Sequence, residues 1–216
     1  MQKQYNSSSN YSLKVGGTLP FLLNAVNYRI NGARVVNSLK KGEVIYAGTP
    51  FEYSVSKSEA KVLKVWKIKS VAANGSDKTD VVIFKNRITP VLNADTVVMV
   101  APSTINGKGK AGAVGAVSVD AEGNYKVTLT TASFDTLAQG GLLVEAEGEG
   151  ASKGMYCMPN VISCEDVVVG DNYTMLDVPR GEVHCYINVC NPMPDCVKVN
   201  LKDGMYLVEE MFNENE

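Results

Sequence analysis

One histidine, His184, and one tryptophan stand in a chain of 216 residues. The five cysteines all lie between Cys157 and Cys196, and no two are spaced C-x-x-C. Tetrahedral zinc sites usually carry such a pair on one knuckle, so a metal centre is not expected. An odd cysteine count also argues against a disulfide framework, which leaves the thiols as small buried hydrophobes. His184 and Cys185 are neighbours in a strand and point to opposite faces, so they form no dyad there. A pairing of His184 with Cys157, Cys164 or Cys196 stays open as the one thiol-enzyme alternative. No G-x-S-x-G element accompanies it. Gly-Lys-Gly-Lys at 107–110 lacks the G-x-x-x-x-G-K-[ST] order of a phosphate cradle and reads as a loop tip. Long apolar runs are missing too: none approaches the roughly 20 residues of a membrane helix, so no membrane partner is expected. The start, MQKQYNSSSNYS, has no apolar h-region, so no secretory signal is expected and synthesis in the cytoplasm is. Asn-x-Ser/Thr matches such as those beginning at Asn6, Asn74 and Asn172 are then accidents.

What the chain does have is charge of unequal distribution. Through Lys110 there are 16 basic and 6 acidic residues, and from Ala111 onward 5 and 17. A solvated surface explains this most simply. The functional alternative is a polar molecule that docks its basic side on an acidic surface, or head to tail on its own copies. Nucleic acid fits less well, because Lys57, Lys61, Lys64, Lys67 and Lys69 come without a recognition motif. Glu145, Glu147 and Glu149 alternate and would share one strand face, where they could hold calcium or serve as acid and base. Without EF-hand spacing a solvated connector is the plainer reading. The chain is accordingly expected not to be an enzyme, with no catalytic, cofactor-binding or metal residue.

Nineteen glycines and eight prolines break the sequence into short β-branched runs, the pattern of an all-β protein. Val81–Phe84 and Val97–Val100 look like strands covered on both faces. Tyr125–Leu129 alternates, with Tyr125, Val127 and Leu129 inward. Val183–Val189 alternates as well and stops at Asn191-Pro-Met-Pro194, since proline cannot donate to a ladder. Ser56-x-x-Glu59 ahead of Ala60–Leu63 has the form of a capping box, although Val62, Val65, Trp66 and Ile68 suit a strand at least as well. Ser133 before Phe134–Gln139 and Gly140-Gly141 reads as one capped turn. Composition divides the chain into a polar arm at 1–12, a discontinuous β region at 13–64 plus 151–200, an inserted β region at 65–150, and an acidic tail at 201–216. Within the insert, 105–115 (INGKGKAGAVG) reads as a flexible loop that then enters a strand, and 145–154 (EAEGEGASKG) as a hydrophilic connector.

Two stretches carry a resemblance. GEVIYAGTPFEY (42–53) is a strand, a tight turn and a strand, with Gly48 suited to positive φ and Pro50 presetting the next φ. MPNVISCEDVVVGDNYTMLDVPRGEVHCYIN (158–188) ends in the turn-forming Arg180-Gly181-Glu182. This pairing of AGTP with a later RGEV resembles the β-tulip capsid decoration proteins of tailed bacteriophages. The intervening VVIFKNRITPVLNADTVVMVA and FDTLAQGGLLVEAEG look like the insert of head-fibre and auxiliary capsid proteins of phages infecting Bacteroides-type hosts. The resemblance implies an all-β, β-tulip or barrel-like decoration domain carrying an inserted small β-barrel-like region. It implies a structural protein on the outer capsid surface of a virion, without cofactor. Its partners would be the major capsid protein, copies of itself in a homotrimer, and other head-fibre proteins. The motif residues Gly48, Thr49, Pro50, Arg180, Gly181 and Glu182 would then be structural turns. Tyr5 and Tyr11 in the arm are the candidate interface anchors. The alternative is a head-fibre or tail module that recognises host-surface glycans through exposed Tyr and Asn/Asp loops.

Overall fold

The computed structural model describes residues 22–37, 39–186, 192–201 and 205–208; the arm with Tyr5 and Tyr11 lies outside them. The first four strands are β1 (Leu22–Val35), β2 (Val44–Ile45), β3 (Pro50–Ser54) and β4 (Glu59–Val62). Eight more follow: β5 (Val65–Asn74), β6 (Lys78–Ile83), β7 (Val97–Val100), β8 (Gly109–Ala113), β9 (Val117–Val119), β10 (Tyr125–Thr130), β11 (Leu142–Glu145) and β12 (Gly150–Lys153). The rest are β13 (Val161–Ile162), β14 (Val167–Val168), β15 (Met175–Tyr186), a short helix α1 (Asp195–Asn200) and β16 (Met205–Val208). The fold is all-β.

Residues 65–153 supply one sheet, ordered β12-β8-β7-β11-β5-β6-β10-β9. β8 pairs with β7 and β9 with β10, yet only three residues separate β8 from β9 in the chain. The chain itself therefore bridges the seam, and the sheet curls into a nearly closed barrel. Such closure leaves few unpaired strand edges. Trp66, Ile68, Val81, Ile83, Val98, Val127, Leu129 and Leu143 fill its interior. Trp66 also satisfies its ring N–H on the carbonyl of Pro90 at 3.0 Å.

A second sheet, β13-β3-β4-β1-β15-β16, comes from the flanking chain, with the small pair β14-β2 beside it. Its core gathers Phe51, Tyr53, Val62, Val161, Leu176 and Val178. A third cluster joins the two sheets. Val65, Met99, Ala111 and Val144 point outward from the barrel there and meet Leu63, Met155, Cys157, Ile162 and the α1 residues Cys196 and Val197. The regions are thus packed through a shared apolar layer rather than tethered.

Several sequence expectations change. Ser56–Glu59 forms no helix: a turn leads into β4, which pairs with β3 and alternates buried Ala60 and Val62 with Lys61. At Ser133 there is a three-residue 3-10 turn, Thr131–Ser133, without a side-chain cap. Val81–Phe84 is covered on one face only, because Val81 and Ile83 enter the barrel while Phe84 is 42% exposed. The supposed loop 105–115 contains β8. A side chain at Gly109 would sit 2.5 Å from the Asp135 carboxylate, so this glycine answers to close packing rather than to flexibility. The connector 145–154 contains β12 and an Ala146–Met155 bridge. Within the acidic tail, Met205–Val208 pairs parallel to β15, since this apolar run precedes the acids.

Candidate functional site

The AGTP motif is a tight turn held from outside. Gly48 has φ of +84°, and the Thr49 N–H closes the turn on the carbonyl of Tyr46 at 3.0 Å. The segment 163–166 then grips it: Gly48 N–H donates to Ser163 C=O (2.7 Å) and Ser163 N–H to Thr49 C=O (2.9 Å). The Ala47 N–H donates to the Asp166 carboxylate at 2.8 Å. Pro50 begins β3. Arg180-Gly181-Glu182, by contrast, is no turn. These residues lie inside β15, where one residue of β1 (Val26, between Ala25 and Asn27) faces two of β15 (Gly181 and Glu182, between Arg180 and Val183). The turn-forming composition marks a β-bulge, which glycine accommodates readily. The two motifs serve the same sheet, but AGTP bonds to 163–166 and RGEV lies against β1.

The remaining sequence candidates are scattered. His184 stands in β15 opposite Asn24 and Tyr206. Cys157 and Cys196 are buried in the shared layer, and burial raises both thiols, so neither forms a thiolate readily. Cys157 instead donates to the Lys61 carbonyl at 3.2 Å. Among the described residues no group of three His, Cys, Asp or Glu is placed to hold a metal ion. The three alternating glutamates separate: Glu145 and Glu147 line one cleft, and Glu149 lines another with Lys110 and Ser133.

The first of these clefts, about 380 Å³, lies where the loop before β2 meets the ends of β7 and β11. At its floor Lys64 Nζ reaches Glu43 Oε2 at 2.8 Å, with side chains only 12% and 10% exposed. Glu145 sits beside this pair. Its own N–H is bonded to the Lys64 carbonyl, and its carbonyl accepts the Tyr156 N–H. Burial raises the Glu145 carboxyl above its ordinary range; Lys64 pulls it down and Glu43 pushes it up. Its Oε2 is buried with no hydrogen-bond partner. At the mouth, Lys40 donates to Asn93 (3.0 Å), and Glu147 accepts the Gly154 N–H (3.1 Å), which holds its carboxyl low. Sequence reading missed this cleft, because Glu43 and Lys64 are 21 residues apart and neither belongs to a motif.

A third feature covers the exposed outer wall formed by β5, β6 and β10. Lys67 and Lys69 hold their ammonium groups 5.9 and 5.7 Å from the ring centre of exposed Phe84. Lys126 stands across from Val82 on the same wall, while Lys85 lies 4.6 Å over the ring of Tyr125, which faces the barrel interior. Asp80 and Glu122 answer part of this charge through Lys126 and Lys69. An apolar ring framed by cations suits contact with an acidic protein surface. No family model, curated protein or solved structure matches this chain.

Proposed function

We propose that the chain is a non-enzymatic structural protein of a tailed-phage virion. In this reading it binds the major capsid protein on the outside of the head, stabilises the lattice or anchors a head fibre, and assembles with copies of itself as a trimer. The AGTP and RGEV resemblance supports the reading. The observation that carries it is the basic outer wall centred on Phe84. Solvent-facing and formed by paired strands, that wall offers a preformed contact needing little ordering on binding. Lysines at its rim steer the approach and make attachment salt-dependent, while the Phe84 ring supplies the apolar centre.

The test is cosedimentation of the purified chain with heads that lack it, at low and at high salt. Saturable binding that weakens at high salt is expected. Lys67→Glu with Lys69→Glu should weaken it further, by roughly tenfold or more. Binding indifferent to salt, or no binding to heads, overturns the proposal.

A further inference from the structure

Closure leaves the barrel sheet two edge strands, β12 and β9, and they differ. β12 slips its register against β8 between Gly150 and Lys153, holds Gly150 at φ of +137° and ends in a lysine. Bulges and lysines of this kind keep foreign strands off an edge. β9 has no such device. It pairs with β10 in unbroken register, and no charged residue or proline occurs from Ala111 to Val119. The bond from the Asp120 N–H to the Asn124 carbonyl (2.9 Å) sets the phase of this hairpin. Bonded pairs alternate along an antiparallel ladder, so Ser118 directs its backbone groups to Lys126, while Val117 and Val119 turn theirs away from β10. Among the described residues no backbone group meets them on that side. Their side chains share the face of Tyr125 and Val127, yet Val119 is 55% exposed, because the sheet ends there.

We propose that β9 is a contact between two copies of this chain, each adding its strand antiparallel to the other about a two-fold axis at Ser118. The stretch Val117-Ser118-Val119 reads the same in both directions. Paired in this way, Val117 lies opposite Val119 of the partner subunit, and the two exchange N–H and C=O, giving about four hydrogen bonds in all. Ser118 meets Ser118 of the partner subunit as the non-bonded pair at the axis. The exposed valines gain cover from the neighbouring strand. Asp120 falls opposite the small Ala116, and its carboxylate already accepts the N–H groups of Glu122 (2.9 Å) and Asn124 (2.8 Å), so no like charges meet in the ladder. The two copies of Lys126 stand three strand spacings apart, about 14 Å, beyond the roughly 8 Å over which charges act in physiological salt. An isologous contact of this kind closes on itself as a dimer. It is separate from the three-fold contact of the head-protein reading and depends neither on that contact nor on the basic wall.

Sedimentation equilibrium of the full chain, from micromolar to millimolar concentration, tests the contact in the wild type, Ser118→Lys and Val119→Pro, with folding checked by circular dichroism. Ser118 is exposed and Val119 turns its N–H outward, so neither substitution breaks a backbone bond to β10. A reversible dimer is expected in the wild type. S118K sets two lysines face to face and V119P removes an N–H from each side of the new ladder, so each should weaken the dimer roughly tenfold or more. Ser118→Cys then fixes the register. Under mild oxidation it should link to its counterpart above the background of native thiols, because non-bonded partners sit about 4.5 Å apart at Cα. Val117→Cys, displaced by two residues from its counterpart, lies too far to bridge. S118K and S118C alter an exposed side chain and keep the test decisive should V119P misfold. A wild type that stays monomeric at millimolar concentration overturns the inference and leaves the edge to a foreign strand. Association of any order that both variants leave unchanged overturns it as well, as do equal cross-links at 117 and 118.

Discussion

The two walls of the barrel are built from similar residues in different order. On β7 and β11 apolar residues come in adjacent pairs: Val98 enters the barrel while Met99 leaves it, and Leu143 and Val144 divide the same way. On β10 they alternate, with Tyr125, Val127 and Leu129 inside and Lys126 and Thr128 outside, while β6 sends Val81 and Ile83 inside and keeps Asp80 and Val82 on the outer face. Side chains of successive strand residues point to opposite faces, so the adjacent apolar pairs of β7 and β11 match cover on both faces, whereas the run ending in Phe84 leaves its second face to solvent. The first wall carries the second sheet and α1. The second carries the basic patch. One strand, β5, belongs to both, starting with Val65 in the shared layer and continuing to Lys67 and Lys69 in solvent. The contrast teaches that this chain encodes its internal interface and its external surface through the same period-two rule.

Substitution breaks the comparison most sharply at Met99. Met99→Ala should destabilise the fold by about 2–5 kcal/mol, whereas Lys126→Ala, outside on the other wall, should stay within about 0.5 kcal/mol. Urea denaturation measures both, and equal effects would dissolve the distinction between the walls. A single transition in Met99→Ala would further mean that barrel and flanking sheet unfold together through the shared layer. A smaller effect sharpens the picture on the held side of the molecule, where 163–166 clasps the AGTP turn. Gly48→Ala forces a side chain to φ of +84° and should cost about 1–2 kcal/mol by the same assay. An unchanged midpoint would show that the turn relaxes freely.

The subtlest effect belongs to Glu145, at the margin where the covered wall opens into the cleft. Its folded carboxyl is raised by burial, with Lys64 opposing and Glu43 adding to the rise. The folded state therefore holds that proton more tightly than the unfolded chain. The resulting contribution to stability is complete below the ordinary carboxylate range and is lost as pH climbs through the raised value. Glu145→Gln stays neutral throughout, so its stability should fall less between acid and neutral pH than that of the wild type. Glu165, raised by burial and by Asp177 and Asp166, leaves a residual slope of the same sign. Parallel wild-type and E145Q profiles would remove Glu145 as a titrating group of the fold.

Much of the strand pattern was legible because it depends on neighbours two residues away. The alternation of Tyr125, Val127 and Leu129 predicts their burial, and all three are buried. Gly48 announces its turn, since few residues other than glycine adopt that backbone. Elsewhere the same residue types mislead. Gly181 resembles a turn and is part of a bulge, and Gly109 resembles a flexible loop and is packed in a strand. Glycine states that a side chain is unwelcome without stating whether the cause is dihedral or neighbour. Phe84 looked buried because its run is apolar, yet it ends a one-faced strand and emerges beside Lys67 and Lys69. Beyond the alternating Glu145 and Glu147, the cleft's convergence was not visible, because Lys40, Glu43, Lys64 and Asp95 come from separate loops and strands.

By itself the amino-acid sequence determined an all-β chain, the Gly48 turn and the separation of basic from acidic halves. These follow from sterics, periodicity and charge, which act over a few residues or simply add along the chain. Tertiary structure decided the seam bridged between β8 and β9, the apolar layer joining two sheets, and the meeting of Glu43, Lys64 and Glu145. Those features arise only when distant segments exclude water together, and no local preference encodes that partner choice.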